Sequence, residues 1–395
     1  MRILHLSTSE DGGAGKSAAV LNENLQAAGV SSRLLTRPSL DLRKKFKSKG
    51  STLLGKVSST SEYDFLSSHS TSTLDFKELE KFQPQIIHIH NWYNLISVDD
   101  FSSLAQFSPL VFTLHDERLA TGGCHVTLGC KKFLETCDEC PAHRLGFSRE
   151  VFRKKLESFY ESQKQYSIIS PSFWMMDQVK STALFENAYS AKVIPNHLSY
   201  AYPILPRYEP NPNSLGLIFV ASNLDTPYKG LEILFSALRI LDSHIEGLQK
   251  EVSLTIVGNT DTEKARKFRN ISVFQRDHLS SNALMNLIRE SDILVVPSLT
   301  ENYPGVIAEA QAQGTRVVAH RVGGIPEMID DGITGYLCDP GASSLSAKIL
   351  EAILDPNHEK VRINAFQEVL SRQDARKINL SHLNLYTSLL ENKGE

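Results

Sequence analysis

Residues 297–327 read PSLTENYPGVIAEAQAQGTRVVAHRVGGIPE, and this stretch decides the fold class of the chain. A short apolar run directly precedes it. A polar turn at 302–305 is followed by residues 306–313, which predict a helix that ends at Gly314. The apolar residues 315–319 then predict the next strand. Strands that alternate with helices in this way indicate a parallel sheet with helices on its faces.

Two glutamates, Glu301 and Glu309, stand in this stretch with seven residues between them. A strand, loop and helix of this kind place backbone N–H groups at a helix N-terminus, where α/β sheets bind anions and ligands. The amides can bind phosphate while the carboxylates accept hydrogen bonds from hydroxyl groups, so the pattern predicts a nucleotide sugar as the ligand. The alternative is that Glu301 only complements the helix dipole and that Glu309 is a solvated surface residue.

The spacing of the two glutamates, with Gly314 and the sequence Gly-Gly-Ile-Pro-Glu at 323–327, resembles the donor-site signature of retaining glycosyltransferases of family 4. Within that family, the chain resembles the exopolysaccharide and colanic-acid-type biosynthesis enzymes. The resemblance implies the GT-B fold, in which two Rossmann-like α/β domains face each other across a cleft. It also implies sugar transfer from a nucleotide-diphosphate sugar, with retention at the anomeric carbon and without a catalytic metal.

The same resemblance implies roles for the residues of the motif. Glu301 would hold the sugar hydroxyls and Glu309 the ribose. Further donor contacts are expected from the residues of the turn, which are Asn302, Tyr303, Pro304, Gly305 and Val306.

The length of 395 residues predicts two domains, and strands alternate with helices in both halves. Residues 195–214 contain five prolines and suit an extended linker. We therefore predict an N-terminal acceptor-binding domain over 1–200 and a nucleotide-sugar-binding domain over 201–374. Residues 375–395 predict an amphipathic helix, which in the family returns to the first domain.

Charge and hydropathy exclude several classes of protein. The formal net charge of −3 gives no indication of a nucleic-acid partner. The chain begins with a short apolar strand and not with a signal peptide, and no apolar run approaches the roughly 20 residues that span a bilayer. We expect a cytoplasmic protein without a transmembrane anchor.

One segment, residues 33–56, carries eight basic residues against Asp41 alone, with leucines and Phe46 between them. Basic and apolar residues in such a mixture can dock on an anionic membrane, each basic group contributing on the order of 1 kcal/mol. A solvated, mobile loop is the alternative. The lipid-linked acceptors on which the family often works favour peripheral binding to the inner face of the cell membrane.

The first loop, from Ser9 to Ser17, is rich in glycine and precedes a predicted helix. A P-loop would need a further glycine where Glu10 stands, which argues against a nucleoside triphosphatase. The loop resembles the family's first glycine loop, so Gly13, Gly15 and Lys16 are predicted to lie near the donor phosphates. The alternative is a tight turn with Lys16 in solvent.

His115 follows a predicted strand, and the resemblance places it beside the transferring sugar in a positional and electrostatic role rather than as a general base. Its neighbour Asp116 either orients the ring or caps the loop. Two further histidines, His88 and His90, share one face of a strand and could chelate a metal. We favour alternating positions of a half-buried strand instead.

Four of the five cysteines lie within seventeen residues: Cys124, Cys130, Cys137 and Cys140. The last two form a C-x2-C knuckle, and four thiolates on one loop match a structural zinc site. Unliganded or redox-paired cysteines are the alternative. The remaining cysteine, Cys338, is predicted to be a core residue.

Residues 219–230 resemble the family's phosphate clamp, and Lys229 matches its lysine. A cation there would stabilise the diphosphate leaving group. The family commonly has an arginine where this chain has Asn223, so diphosphate binding would depend more on Lys229 and on the amides near Gly305. Gly258 fits the wall of the nucleotide site.

The sequence therefore predicts a retaining transferase that builds a surface glycan on a saccharide or lipid-linked acceptor. The catalytic residues would be His115, Lys229 and Glu301. Two alternatives stay open. One is another enzyme of the same fold, such as a nucleotide-sugar epimerase or a phosphorylase. The other is a non-catalytic module that binds nucleotide sugars.

Overall fold

Two six-stranded sheets, both entirely parallel, carry the fold of this computed structural model. The structure describes residues 1–37, 72–141, 147–162, 165–198, 213–248, 250–260, 263–264 and 266–392. The chain divides into two units, the first comprising Met1–His197 with Ala375–Glu395 and the second Leu198–Asp374.

The sheet of the first unit has the strand order β2-β1-β3-β4-β5-β6. Its strands are β1 (Arg2–Ser7), β2 (Ser31–Thr36), β3 (Ile86–Ile89), β4 (Leu110–Thr113), β5 (Tyr166–Ser170) and β6 (Ser190–Val193). The helices of this unit are α1 (Gly12–Ala27), α2 (Phe76–Phe82), α3 (Asp100–Phe107), α4 (Phe147–Glu161), α5 (Phe173–Val179) and the C-terminal helix α11 (Ala375–Asn392).

Helix α11 belongs to the first unit because of what it buries. Its residues Ile378 and Leu385 form one apolar cluster with Ile3 of β1, Ile86 of β3 and Val111 of β4. A second cluster covers the opposite side of the sheet. Burial on both faces is the reason that the central strands are continuous apolar runs.

The second unit repeats this architecture with the strand order β12-β11-β10-β7-β8-β9. Its strands are β7 (Ser214–Asn223), β8 (Glu251–Asn259), β9 (Ile271–Arg276), β10 (Ile293–Val296), β11 (Arg316–His320) and β12 (Tyr336–Cys338). Its helices are α6 (Leu231–His244), α7 (Ser281–Glu290), α8 (Gly305–Ala312), α9 (Ala342–Leu354) and α10 (His358–Arg372).

Most of the basic segment 33–56 lies outside the described residues. Of its described members, Arg33 donates to Glu78 at 2.7 Å. Among the described residues, no helix combines the length and apolarity that crossing a bilayer requires.

Candidate functional site

In the second unit, the loops that follow β7 and β10 meet at the carboxyl ends of these neighbouring strands. The Leu299 N–H donates to the Tyr228 carbonyl at 2.7 Å. A Cβ on Gly230 would lie 2.0 Å from the Pro297 carbonyl oxygen, so only glycine permits this approach. Near the end of β8, Gly258 is packed in the same way, because a Cβ there would lie 2.0 Å from the Ala221 carbonyl oxygen. The predicted clamp and the predicted glutamate loop are therefore held together by their backbones.

Lys229 and Glu301 form an ion pair at this junction, with 2.7 Å between Nζ and Oε1. The same carboxylate oxygen accepts from the Ser298 hydroxyl at 2.9 Å. The side chains are 29% and 12% exposed, so solvent screens the pair only partly. Burial lowers the pKa of Lys229, but the charge and hydrogen bond of Glu301 outweigh this and the pKa is raised. Lys229 is therefore a permanent cation whose charge Glu301 balances.

Helix α8 begins four residues after Glu301, and its N-cap residue does not cap the first N–H groups of the helix. That residue is Pro304, whose side chain has no oxygen to accept a hydrogen bond. The Glu309 side chain folds back toward the start of the helix, because a Cβ on Gly305 would lie 4.0 Å from its Oε1 atom. Glu309 itself is 7% exposed. The arrangement places helix amides, which attract anions, next to a carboxylate, which accepts hydroxyl groups.

The glycine pair Gly323-Gly324 locks the backbone of Glu301. The Gly324 N–H donates to the Glu301 carbonyl at 3.0 Å. A Cβ on Gly323 would lie 1.8 Å from that same oxygen, and its φ is +58°, in the left-handed region. The glycine pair thus fixes the backbone position of Glu301.

Two other predicted donor residues occupy different environments. Asn223 is exposed, and its side-chain oxygen accepts from the Asp225 N–H at 2.8 Å, which shapes the turn. Tyr303 is buried in the apolar cluster that contains Ile307. Burial raises the pKa of the Tyr303 hydroxyl.

In the first unit, the glycine loop forms the start of helix α1. A Cβ on Gly15 would lie 2.4 Å from the Ser9 carbonyl oxygen, so this position also requires glycine for packing. Gly13 has open space around it, and Lys16 is half-buried. Ser17 donates to Asn196 at 2.9 Å, which ties the helix start to the segment after β6.

A small pocket lies beside this loop, at the carboxyl ends of β3 and β4. Its polar lining includes His90, Asn91, His115, Asp116 and Arg118, and Ala14 contributes from the glycine loop. The Arg118 guanidinium lies 4.9 Å from the centre of the Tyr93 ring and 3.6 Å from Asp116. The structure thus brings the predicted His115 and Asp116 together with the glycine loop.

Behind the pocket lies a buried cluster of histidines. His5 Nδ1 and His90 Nε2 are 3.1 Å apart, and His90 Nδ1 and His115 Nε2 are also 3.1 Å apart. His88 binds the Tyr386 hydroxyl through Nδ1 and the Thr113 hydroxyl through Nε2, both at 2.7 Å. The prediction that His88 and His90 alternate on a half-buried strand is wrong, because β3 is central in the sheet and both side chains are buried.

The histidine cluster includes three possible metal ligands. One nitrogen each from His5, His88 and His90 lies within 4.8 Å of the others. Both ring nitrogens of His88 and of His90 already have hydrogen-bond partners. A metal would have to displace these bonds, so the hydrogen-bond network is the better account of the cluster.

Burial keeps these imidazoles neutral. Burial lowers the pKa of His5 and of His382 to about 3. It also lowers the pKa of His88 and of His90, and neighbouring histidines add to the effect. For His115 burial lowers the pKa to about 4, although Asp116 acts in the opposite direction. At neutral pH each of these rings therefore has one donor and one acceptor nitrogen.

The cysteine cluster follows the pocket in the chain. The hydrogen bond between Cys124 and Cys140 raises the pKa of the Cys124 thiol, and burial and the neighbouring sulfurs of Cys137 and Cys130 act in the same direction. Burial raises the pKa of Cys137 to about 11, and the Gly122 N–H donates to its sulfur at 3.2 Å. The four thiols influence one another electrostatically, but among the described residues only His5, His88 and His90 group three ligand atoms within 4.8 Å of one another, so the zinc site at the cysteines stays a prediction.

A buried lysine braces the loop between the pocket and the cysteines. Lys155 of α4 donates to the Arg118 carbonyl at 2.5 Å and to the Thr121 carbonyl at 2.6 Å. Burial lowers its pKa to about 7. Glu117 accepts from the backbone and hydroxyl of Thr127, and burial raises its pKa to about 7.

Sequence reasoning did not identify several of these residues. His5, Arg118, Lys155 and Ser298 were not predicted, because none of them belongs to a recognisable motif. A signal was available only for Ser298, which lies three residues before Glu301 in the same loop.

Comparisons with known proteins identify glycosyltransferases as sequence relatives of this chain. Residues 208–368 match the family model described as "Glycosyl transferases group 1". A D-inositol 3-phosphate glycosyltransferase from Corynebacterium efficiens is 33% identical over 147 residues, which are 35% of this chain and 34% of that protein. One from an Arthrobacter species is 37% identical over 135 residues, or 32% of each chain. The chain thus spans about a third of the length of these relatives.

Solved structures match over nearly the whole chain. A sucrose-phosphate synthase from Thermosynechococcus elongatus has a TM-score of 0.65 and 17% identity, with 99% of this chain and 100% of that chain covered. HepE from Anabaena, solved in complex with UDP-glucose, has a TM-score of 0.61 and 17% identity, with 98% and 100% covered. These matches confirm the α/β fold class of the GT-B enzymes.

Proposed function

We propose that the chain is a retaining glycosyltransferase of family 4 that transfers a sugar from a nucleotide-diphosphate sugar to a saccharide or lipid-linked saccharide. The observation that carries the proposal is the ion pair of Lys229 with Glu301, which lies in the loop that leads into α8; the N-cap residue of this helix, Pro304, makes no side-chain cap. The match to group 1 glycosyltransferases covers these same residues and supports the assignment.

The chemistry of the donor site follows from its charges. A diphosphate is attracted by the α8 amides and by Lys229, and the leaving group gains negative charge as the sugar departs. Glu301 balances the lysine before the donor arrives, which avoids a buried unpaired cation. With the donor in place, Glu301 accepts hydrogen bonds from sugar hydroxyls and Glu309 from the ribose. The Anabaena structure holds UDP-glucose, which makes uridine diphosphate the first nucleotide to test.

The acceptor and the cellular site are part of the proposal. The pocket of the first unit, lined by His115 and Arg118, would take the acceptor. Exopolysaccharide assembly at the cytoplasmic face of a membrane fits the sequence resemblance, with the basic segment 33–56 as the membrane contact. The relatives are named for inositol 3-phosphate and sucrose phosphate, so a phosphorylated polyol is the competing acceptor.

The donor site is tested first by binding and then by turnover. Uridine diphosphate should raise the melting temperature of the intact chain, because a ligand that binds only the folded state stabilises it, by about 2.7 kcal/mol at 100 times Kd. Glu309→Gln should weaken this binding. Lys229→Met and Glu301→Gln should instead lower the release of nucleoside diphosphate from the sugar donor about 100-fold or more.

Lys348→Met is the matched control for Lys229→Met. Lys348 also forms ion pairs, with Asp331 and Glu351, and it stands on α9 of the same unit. It should leave binding and turnover unchanged. If Glu309→Gln, Lys229→Met and Glu301→Gln are as active as Lys348→Met and the unmodified chain, the proposed donor site is excluded. Binding without turnover, against every saccharide and phosphorylated polyol tried, would instead favour the non-catalytic module.

Membrane attachment is tested separately. Binding to vesicles of anionic lipid should weaken steeply as salt rises, because the Debye length is only about 8 Å at physiological ionic strength. Replacing Lys44, Lys45, Lys47 and Lys49 by glutamine should reduce the binding. If the chain does not bind these vesicles at low salt, peripheral attachment through this segment is excluded.

A further inference from the structure

A row of three hydrogen-bonded histidines runs through the first unit and ends at the pocket. It starts at His5 of β1, continues through His90 after β3 and ends at His115 after β4. These strands are neighbours in the sheet. Each neutral imidazole has one N–H donor and one acceptor nitrogen. Because His90 uses both nitrogens, the two hydrogen bonds must run in the same direction along the row.

The direction of the row follows from its inner end. The other ring nitrogen of His5, Nε2, is buried and has no hydrogen-bond partner among the described residues. If His5 accepted from His90, its own proton would sit on Nε2 as a buried, unpaired N–H. If His5 donates instead, Nε2 is only an unpaired acceptor. Orphaned buried N–H groups are the rarer case in proteins, so the hydrogen bonds run from His5 to His115.

We propose that His90 is a positioning residue for His115. It donates from Nδ1 to Nε2 of His115, so that neutral His115 carries its proton on Nδ1. His5 holds His90 in the matching tautomer. The tautomers of the three histidines are inferred from the geometry alone, whereas the role of His115 in sugar transfer rests on the proposed function.

The surroundings of the row keep it rigid. The His88 ring lies 4.1 Å from the His90 ring, and its two nitrogens are fixed by Tyr386 and Thr113. The charged groups that face the pocket end are Asp116 and Arg118. Asp116 accepts from the Arg118 backbone at 2.9 Å, and its carboxylate also lies near the Arg118 guanidinium, so the two balance each other beside the imidazole.

The fixed tautomer gives His115 a defined chemical role. Its Nε2 is an occupied acceptor and cannot take a proton from the saccharide hydroxyl. Its Nδ1–H is the N–H donor of the ring, and a donor that is oriented before the reaction stabilises negative charge without further rearrangement. His115 would therefore touch the substrate as a hydrogen-bond donor, while His5 and His90 act only through it.

The experiment is nitrogen NMR of the intact chain labelled with 15N-histidine, with His115→Gln used to assign the ring signals. The unmodified protein should show His115 protonated at Nδ1 and bare at Nε2. His90→Leu removes the donor and should release His115 into a mixture of tautomers. His90→Asn keeps an amide near the position of Nδ1 and should restore the single tautomer. Tyr166→Phe is the matched control, because it removes a buried hydrogen bond, to the Leu184 carbonyl at 2.9 Å, that does not involve the histidines.

Turnover should follow the tautomer. His90→Leu should lower kcat by up to about 100-fold with little change in the KM of the donor, and His90→Asn should recover most of it. If His90→Leu does not fold, His5→Phe tests the same point, because it removes the group that sets the tautomer of His90. Three results would each overturn the proposal. They are protonation of His115 at Nε2, a His115 tautomer that is unchanged in both His90→Leu and His5→Phe, and a stoichiometric metal bound at His5, His88 and His90.

The NMR test of the His115 tautomer and the test of the proposed function can fail independently of each other. A chain that transfers no sugar but shows His115 protonated at Nδ1 leaves the row intact and removes the enzymatic assignment. A chain that transfers sugar while His115 is protonated at Nε2 does the reverse.

Discussion

At the scale of single residues, the donor loop is held by backbone contacts as much as by side-chain charge. The carbonyl of Glu301 accepts from Gly324, while its carboxylate accepts from Lys229 and Ser298. The glutamate is thus fixed at both ends. A residue whose backbone and side chain are both engaged loses little further freedom when a ligand binds, which favours affinity.

Gly323 provides a direct test of this arrangement. Gly323→Ala should destabilise the second unit and abolish binding of uridine diphosphate, because the new methyl group would meet the Glu301 carbonyl oxygen at 1.8 Å. The left-handed φ alone costs about 1–2 kcal/mol, and the clash adds to it. Thermal unfolding and nucleotide binding measure the two effects.

Gly332→Ala is the control for Gly323→Ala. Its φ is +73°, but no atom lies within 4 Å of the added Cβ. It should therefore show only the conformational cost and keep nucleotide binding. Equal losses in the two variants would mean that the contact with Glu301 does not position the loop.

The residues of the candidate site were predictable only where they belong to a local motif. Glu301, Glu309 and Lys229 stand in short stretches with a family pattern. The Lys229–Glu301 contact joins residues that are 72 positions apart and was not predicted. His5 stands alone in an apolar strand, and its partner His90 is 85 positions away. Contacts of this kind depend on strand order, which a single sequence does not display.

At the scale of elements, the sequence predicted the inner strands of both described sheets and the edge strands β6 and β9, but it missed the edge strands β2 and β12. The central strands β3, β4 and β10 are buried along their whole length and mostly apolar, since helices cover both faces of the sheet. Strand β2 was missed because it lies at a sheet edge, where most of its residues are only partly buried. Strand β12 has only three residues and is also an edge strand. Short edge strands lack the apolar run that identifies a buried one.

The cysteine loop is an element whose stability we predict to come from a metal. Protein purified without chelator should contain about one zinc per chain, bound by Cys124, Cys130, Cys137 and Cys140. The raised pKa values of Cys124 and Cys137 mean that these thiols are protonated in the absence of a cation, so zinc binding should release protons. Metal analysis and proton release on titration with zinc measure this.

Cysteine variants distinguish a zinc site formed by the four cysteines from nonspecific zinc binding. Cys140→Ser should lose the zinc, because it removes the partner of the Cys124 thiol. Cys338→Ser is the control, since that thiol is buried in the second unit, 3.8 Å from the Ala319 carbonyl oxygen. Zinc-free protein with four titratable thiols in the native state would refute the site.

At the scale of the whole molecule, the histidine cluster is a product of topology. Its members come from β1, from β3 and the loop after it, from the loop after β4, and from the C-terminal helix α11. Strand order places β1 beside β3 and β3 beside β4, and α11 covers this sheet with His382 and Tyr386. The sequence showed that several histidines stand at strand ends. It did not show that six histidines of the first unit would be buried or nearly so: His5, His88, His90, His115, His197 and His382.

This cluster should make the first unit sensitive to acid. The pKa of each of the six histidines is lower in the folded state than the ordinary value of 6.5, chiefly because of burial. Between pH 6.5 and about 4 the unfolded chain therefore binds more protons than the folded one. Stability is complete above pH 6.5 and falls as the pH drops, by about 1.4 kcal/mol per pH unit for each histidine.

Six such groups together would remove on the order of 10 kcal/mol by pH 5, which is comparable to the whole stability of a typical domain. Glu117, whose pKa burial raises to about 7, acts in the opposite direction but is a single group. Both tryptophans, Trp92 and Trp174, belong to the first unit, so urea unfolding followed by tryptophan fluorescence reports on it selectively. His382→Leu should reduce the pH dependence by about one proton. A stability that stays constant from pH 7 to pH 5 would show that these histidines are already protonated in the folded chain.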